Sequence, residues 1–250
     1  MRQKISAVVI AKNEENSLVD CIEALRFCDE IIAIDDYSTD RTLEITKSLK
    51  VSVFQHHLNS DFSKMRNFGL EKSTGDWVLF VDADERISND LQKEIVEKIQ
   101  EESIDGFFIP REDVIWGRKL KYGEAGNIKL LRLGRRTKGK WKGKVHEVWD
   151  IKGKIDYLKN PIVHYPHQTL TEFLDEINAY SSIRAEELFK EKKEVKGRDI
   201  IFYPLGKFFV NYFFKRGYQD AVPGLLYAIL MSFHSFLVRG KLYLLTKKSE

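Results

Sequence analysis

The chain is predicted to fold as an α/β protein, with an open, mainly parallel sheet that helices cover on both faces. Short β-branched runs alternate with helical patterns four times within the first hundred residues. Three of these runs end in clusters of polar and acidic residues. The 250 residues have an ordinary apolar content and no low-complexity tract, so they can bury a sizeable core.

The elements of the first hundred residues follow from hydrophobic periodicity and helix-capping residues. Strands are predicted at 4–11, 30–34, 51–55 and 77–81. Helices are predicted at about 18–27 after Ser17, after a cap at Thr39 or Asp40, at 62–71, and from Ser88 to about Gln100.

The pattern changes after Gly106, where short strands are predicted at 107–110, 127–133 and 144–150. An amphipathic helix follows at 171–194, and the remainder is aromatic, apolar and basic. We therefore expect three parts, at 1–105, 106–170 and 171–250, of which the last is a C-terminal helical extension.

Basic charge is concentrated behind the acidic first hundred residues. The segment 111–144 has 12 Lys and Arg against 3 Asp and Glu, which suggests an anionic ligand or surface. Cys21 and Cys28 are predicted to be thiols, and no secretory signal precedes the first strand, so a cytoplasmic protein is expected. No apolar run meets the criterion for a membrane span cleanly, because Pro223 and Gly224 interrupt the nearest.

Carboxylates and amides follow three of the predicted strands: 12–15, the pair Asp35 and Asp36, and the pair Asp82 and Asp84. The carboxyl ends of parallel strands share one edge of a sheet, where ligands bind. Crowded carboxylates are costly without a cation or a hydrogen-bonding ligand, and Mg²⁺ and Mn²⁺ commonly bind one or two carboxylates together with substrate phosphates. Taken alone, an Asp-x-Asp more often forms a solvated acidic loop.

The residues ISAVVIAKNEE at 5–15, EIIAIDDYSTDRT at 30–42 and KMRNFGLEKSTGDWVLFVDADER at 64–86 resemble the family 2 glycosyltransferases of the GT-A fold. That resemblance implies a GT-A-type sheet, a nucleotide-sugar donor with UDP as the default, Mg²⁺ or Mn²⁺, and inversion at the anomeric carbon. Tyr37 departs from the small residue that the family often has after its acidic pair.

The resemblance also implies roles for individual residues. Asn13, Glu14 and Asp36 would contact the nucleoside, with Asp36 or Asp35 near the base. Beside the pyrophosphate or ribose would lie Arg66 and Asn67. The family's DxD would be Asp82 and Asp84, which hold the metal directly or through water.

The segment KGKVHEVW at 142–149 contains a His-Glu pair between two tryptophans. A similar VHE follows the DxD domain in bacterial family 2 enzymes that build the lipopolysaccharide core, and this chain resembles that subgroup over nearly its whole length. We assign Glu147 as the general base and His146 as a third metal ligand or phosphate contact, although these roles could be exchanged. His164 is another candidate ligand, and its alternative role is structural.

The resemblance implies a glycolipid or saccharide acceptor in the cell envelope, such as the lipopolysaccharide core. The region 198–248 is expected to contact the inner membrane peripherally, or else to pack on the sheet domain or on another subunit. Rival classes are a nucleotidyltransferase and a non-catalytic membrane adaptor. A nucleotidyltransferase usually has a glycine-rich phosphate loop after its first strand, and this chain has no glycine there. Nucleic acid is not expected as a partner, because the predicted crevice is acidic.

Overall fold

A computed structural model describes residues 2–58, 61–143, 147–166 and 168–249. The chain divides into two compact units. The first unit comprises Met1–Arg111 and Ile128–His164, and the second comprises Glu112–Asn127 and Tyr165–Glu250. We also predicted a function for each of three parts: a nucleotide-sugar-binding half at 1–105, an acceptor or catalytic half at 106–170, and a helical, membrane-associated extension at 171–250. This division by function stays a prediction.

Four helices and most of the strands belong to the first unit. The helices are α1 (Leu18–Ala24), α2 (Thr42–Ser48), α3 (Phe62–Lys72) and α4 (Asn89–Lys98). The strands, counted through both units, are β1 (Ile5–Ala11), β2 (Glu30–Asp35), β3 (Ser52–Gln55), β4 (Trp77–Asp82), β5 (Glu85–Ile87), β6 (Gly106–Ile115), β7 (Arg118–Leu120), β8 (Ile128–Arg135), β9 (Gly139–Lys142), β10 (Val148–Ile151), β11 (Ile155–Tyr157) and β12 (Ile162–His164).

The predicted α/β class is confirmed, in the form of a mixed sheet flanked by helices. Its strand order is β3-β2-β1-β4-β8-β6-β12-β5. The first four strands are parallel, because each is joined to the next by a helix. Beyond β4 the sheet becomes antiparallel, since β8 pairs with both β4 and β6 in that sense. The short strands β5, β7, β9, β11 and β12 were not predicted.

Alternate residues of the central strands face opposite layers of the core. In β4, Trp77, Leu79 and Val81 pack into the cluster that contains α1 and α4. Val78 and Phe80 pack with α3 on the other face. Both faces are buried, which explains why this strand reads as a continuous apolar run.

Capping explains where two of the predicted helices begin. The Asp61 side chain accepts a hydrogen bond from the Lys64 amide at the start of α3, and Ser88 does the same for Leu91 at the start of α4. Ser17 precedes α1 but caps no amide through its side chain. Cys21 and Cys28 are free thiols, as predicted.

The second unit is largely helical. It contains α5 (Leu170–Lys190), α6 (Asp199–Phe209), a π-helical turn at Val210–Phe214, a 3₁₀ turn at Gly217–Asp220, and α7 (Ala221–Ser249). A capping box between Thr169 and Glu172 starts α5.

Among the described residues, one helical stretch, Gly217–Lys248, is long and apolar enough by length and composition to cross a membrane. The sequence had indicated no clean membrane span here, because Pro223 and Gly224 interrupt the run. Only 22% of its most apolar window is buried, whereas the core helix of a folded domain is mostly buried. Packing within the chain therefore covers only part of this apolar stretch, including Leu230 and Val238.

Candidate active site

The site lies in the first unit, at the edge where the parallel strands β1, β2 and β4 end. The acidic pair after β2 divides between two roles. Asp35 is buried and accepts hydrogen bonds from the Ser38 amide and from Gln55 Nε2, so it shapes its own loop. Asp36 accepts a hydrogen bond from Lys12 Nζ at 2.7 Å. Although burial opposes ionisation, this contact keeps the pKa of Asp36 below its ordinary value.

The loop after β1 is joined to the loop after β2 by a set of hydrogen bonds. Asn13, at φ 56°, accepts from the Thr39 amide through its side-chain oxygen at 2.8 Å. The backbone amide of Glu14 donates to Thr42 Oγ1. Asn13 is therefore held by the neighbouring loop, whereas the Glu14 carboxyl interacts with the Ser17 side chain.

Both burial and a neighbouring acid affect the pKa of the Glu14 carboxyl. Burial, followed by the negative charge of Asp84, raises the pKa of Glu14 from 4.5 to about 7. Such an acid binds more protons in the folded than in the unfolded chain between these two values, so its contribution to stability falls as the pH rises through them.

Glu14→Gln removes that titration. We expect the variant to gain unfolding free energy relative to the wild type as the pH rises from about 5 to about 8. Urea denaturation of both proteins at a series of pH values measures this. A difference in stability that does not change with pH would contradict it.

Asp82, at the end of β4, is held by two buried arginines. Arg66 Nη2 donates to Asp82 Oδ1 at 3.1 Å, and Arg132 Nη2 donates to Asp82 Oδ2 at 2.6 Å. Burial alone would raise the pKa of Asp82, but Arg132 and then Arg66 hold it below its ordinary value. The carboxylate is therefore ionised, and it balances part of the charge of the two guanidinium groups.

Each of the two arginines also has one terminal nitrogen that takes no part in these contacts. Arg66 Nη1 and Arg132 Nη1 are buried and have no hydrogen-bond partner in the described part of the chain. A buried guanidinium donor without an acceptor is costly. The two orphaned donors beside one carboxylate suit an anion with several oxygens, such as a diphosphate.

Glu147 joins this arrangement through Arg66. Its Oε1 accepts a hydrogen bond from Arg66 Nε at 2.9 Å, and the guanidinium carbon lies 4.9 Å from the ring centre of Trp141. The Asn67 side chain makes two hydrogen bonds with the backbone of Trp141 in β9. It donates to the Trp141 carbonyl and accepts from the Trp141 amide, both at 2.9 Å. Asn67 thus fixes β9 under Arg66, and its predicted contact with the donor stays a prediction.

Asp84 faces a different partner from Asp82. Its Oδ2 lies 3.1 Å from His164 Nε2, at the end of β12. The pairing of β12 with β5 places His164 opposite Glu85, directly after the Asp-x-Asp. Glu85 is fully buried and accepts from the Asp82 amide, and burial, then Asp82, raises its pKa.

The side chains of Asp84 and His164 could together serve as ligands for a divalent cation. A carboxylate oxygen and an imidazole nitrogen are both ligands for Mn²⁺, and their 3.1 Å separation allows them to share an ion. The described residues contain no group of three His, Cys, Asp or Glu side chains that could hold a metal. His146 lies outside them. The remaining positions would fall to phosphate oxygens and water.

Arg132 and Glu85 were not among the site residues predicted from the sequence, and His164 was only a secondary candidate for a metal ligand. Arg132 stands between two leucines in a predicted strand, and a charge inside an apolar strand run was the signal available.

Tyr37, which departs from the small residue common in the family, has a structural explanation. At φ 49° its ring stacks on His57, with centroids 3.9 Å apart. The stacked pair lies beside Asp36, since His57 Nδ1 is 3.8 Å from Asp36 Oδ1.

The acids and arginines of this site lie at the carboxyl ends of parallel strands, where ligands bind in open α/β sheets. The sequence profile of Glycosyl transferase family 2 matches residues 6–151, which is more than half of the chain. The chain therefore belongs to glycosyltransferase family 2 and is a glycosyltransferase.

Relatives of similar length extend the comparison. The chain is 27% identical over 248 residues to the lipopolysaccharide core biosynthesis glycosyltransferase LpsC of Rhizobium meliloti, covering 96% of this chain and 92% of LpsC. It is also 27% identical to an uncharacterised glycosyltransferase of Rickettsia typhi, covering 99% and 89%.

Crystal structures of Staphylococcus aureus TarS share the fold. The complex with UDP aligns with a TM-score of 0.53 at 19% identity, covering 98% of this chain and 92% of the TarS chain. The complex with UDP-GlcNAc aligns with a TM-score of 0.51 at 18% identity, covering 93% and 81%. This confirms the GT-A-type architecture.

Proposed function

We propose that this chain transfers a sugar, with inversion and with the help of Mg²⁺ or Mn²⁺, from a UDP-sugar to a glycolipid or saccharide of the cell envelope. The observation that carries the proposal is the arrangement of Asp82 between Arg66 and Arg132, beside the Asp84–His164 pair. It supplies buried cationic donors and a metal-binding pair at one edge of a family 2 domain.

The donor nucleoside is assigned to the loops after β1 and β2. Asn13, Glu14 and Asp36 border this region, and the Tyr37–His57 stack offers an aromatic surface for a base. TarS, which shares the fold, was crystallised with UDP and with UDP-GlcNAc, which supports a uridine nucleotide.

A panel of nucleotide sugars tests the donor class. We expect thermal stabilisation by UDP-sugars in the presence of Mn²⁺, because the base and the diphosphate then both find partners. GDP-, CMP- and dTDP-sugars should raise the melting temperature less. Equal stabilisation by every nucleotide would contradict recognition of the base.

The reaction requires a charged leaving group to depart and an acceptor hydroxyl to lose its proton. Arg66 and Arg132 each present a buried donor that can stabilise the leaving diphosphate. A cation held by Asp84 and His164, with Asp82 nearby, would act as a Lewis acid toward the same phosphates. Glu147, which accepts a hydrogen bond from Arg66 Nε, would accept the proton of the acceptor hydroxyl as the general base.

The acceptor is proposed from the similarity to LpsC, whose name describes lipopolysaccharide core biosynthesis. An acceptor of that class is an anionic amphiphile. Peripheral contact with the inner membrane, proposed for 198–248, would bring the enzyme to it. Exposed aromatic and apolar side chains of this region support the contact: Phe202, Phe209, Phe213, Phe214 and Val222.

Three serine substitutions, at Phe202, Phe209 and Phe214, test the membrane contact. Burying a Phe side chain contributes about 1.5–3 kcal/mol, so the triple variant should bind anionic vesicles at least about tenfold more weakly. The matched control replaces Val19, Val96 and Tyr157, which are exposed apolar residues of the first unit. Equal flotation of all three proteins with vesicles would exclude the contact.

A further inference from the structure

The second unit contains a cavity with a wall that is both apolar and cationic. Its volume is about 590 Å³, and it is lined by side chains of α5, α6 and α7, by Val210 and by the acidic Glu124. The side chains that matter for its chemistry are Phe202, Tyr203, Val238, Arg184, Lys207 and Arg239. None of these takes part in the donor site, which belongs to the first unit.

The positive charges of the cavity are only partly balanced within the chain. Lys207 Nζ pairs with Glu124 Oε1 at 3.0 Å, and Arg184 pairs with Glu187 of its own helix at 2.9 Å. Arg239 stacks over the Tyr203 ring at 4.3 Å, and no acidic side chain of the described ranges pairs with it. Arg239 is therefore the cation with the most to gain from an anion.

His234, which also lines the cavity, reports the same excess of positive charge. Burial, followed by the charge of Lys207, lowers the pKa of His234; Glu124 opposes this shift, and Lys241 and Arg239 add to it. A neutral imidazole is what a site with surplus cations favours. Glu124, the acidic residue of the lining, is paired with Lys207, so among the described residues Arg239 is left without an acidic partner.

The apolar part of the wall continues onto the surface. Phe202 and Tyr203 line the cavity and are still 67% and 53% exposed, and Ile201, Leu205 and Phe209 of the same helix are also exposed. A small inorganic anion would engage the cations and leave these side chains in water. An amphiphile would cover both, because its acyl chains can lie on the apolar surface while its headgroup enters the cavity.

We propose that this cavity binds the phosphate headgroup of an anionic lipid, with Arg239 as the phosphate partner and the exposed apolar side chains of α6 against the acyl chains. The proposal rests on the membrane contact proposed above only for the source of the lipid. It is independent of the donor chemistry.

Two glycines provide matched variants that block the cavity without moving a charge. Gly206 lines the cavity, and Gly240 lies in α7 outside its lining. A Cβ built on either would meet no atom within 4 Å, and both lie in helices, where leucine is favoured over glycine. Gly206→Leu should fill the cavity, and Gly240→Leu should not.

The full chain is titrated with dihexanoyl phosphatidylglycerol below its micelle concentration, with dihexanoyl phosphatidylcholine, and with inorganic phosphate. We expect saturable binding of the phosphatidylglycerol that Arg239→Gln and Gly206→Leu each weaken about tenfold, the loss typical of a charge-assisted contact. Gly240→Leu and Lys248→Gln, a charge-matched control outside the cavity, should change the affinity less than about twofold.

Several outcomes would overturn the proposal. Inorganic phosphate binding as tightly as the phosphatidylglycerol would leave an anion site without lipid recognition. Equal losses in Arg239→Gln and Lys248→Gln would indicate general electrostatic attraction. A Gly206→Leu variant that changes the sedimentation coefficient but not lipid affinity would assign the cavity to a second copy of the chain. UDP-sugar affinity, measured on the same proteins, should stay at the wild-type value and separates this proposal from the donor site.

Discussion

Replacing Glu147 with glutamine should abolish sugar transfer while leaving donor binding nearly intact. A positioned general base contributes about 10²–10⁴-fold to the rate, so turnover should fall by that factor. Glutamine keeps an oxygen that can accept the hydrogen bond from Arg66 Nε, at 2.9 Å in the wild type, so the guanidinium should stay in place. Donor affinity should then change less than about threefold, because the phosphate partners are unaltered.

Transfer kinetics and donor titration on the same preparation test this prediction. Glu71→Gln, an exposed position on α3, serves as the matched control and should behave as the wild type. Turnover within a factor of two of the wild type would remove Glu147 from the mechanism. A joint loss of turnover and donor affinity would instead make Glu147 a positioning residue for Arg66.

Replacing Asp84 with asparagine should abolish the effect of metal on donor binding. Asp84 and His164 are the pair suited to share a cation, and an amide is a much weaker ligand than a carboxylate. We expect donor affinity in Mn²⁺ to fall to the value that the wild type shows in chelator. Turnover should fall about 10³-fold, since the developing phosphate charge loses its strongest partner.

The Asp84→Asn variant has a second readout that does not depend on activity. The charge of Asp84 is the second cause of the raised pKa of Glu14, after burial. We expect the pKa of Glu14 to move down toward its ordinary value in this variant, as followed by NMR titration. His164→Asn should reproduce the loss of metal-dependent binding, whereas Asp90→Asn, on the first turn of α4, should not. Metal-dependent binding retained in Asp84→Asn would contradict the assignment.

The parallel half of the fold could be predicted because its information is local. Each strand run, cap and acidic cluster lies within a few residues of the next, and parallel strands bring their carboxyl ends to one edge whatever the rest of the chain does. This is why Asp36, Asp82 and Asp84 could be assigned to one crevice. The same rule could not show that Asp35 turns inward, since that depends on Ser38 and Gln55.

The other half of the site depends on long-range antiparallel pairing. Arg132 reaches Asp82 only because β8 pairs with β4, and His164 reaches Asp84 only because β12 pairs with β5. Neither register has a short-range signal in the sequence. The two hydrogen bonds between the Asn67 side chain and the Trp141 backbone likewise have no short-range signal in the sequence, and the donor contact predicted for Asn67 stays a prediction.

We expect donor binding at this edge to depend on a divalent cation held beside Asp84 and the Arg66–Asp82–Arg132 group. This dependence can be measured by isothermal titration of the wild-type chain with UDP, in Mn²⁺ and again in chelator. Binding in Mn²⁺ should be saturable and should be at least about tenfold weaker in chelator, a loss of about 1.4 kcal/mol or more. Equally tight UDP binding in chelator, or no UDP binding in either condition, would contradict it.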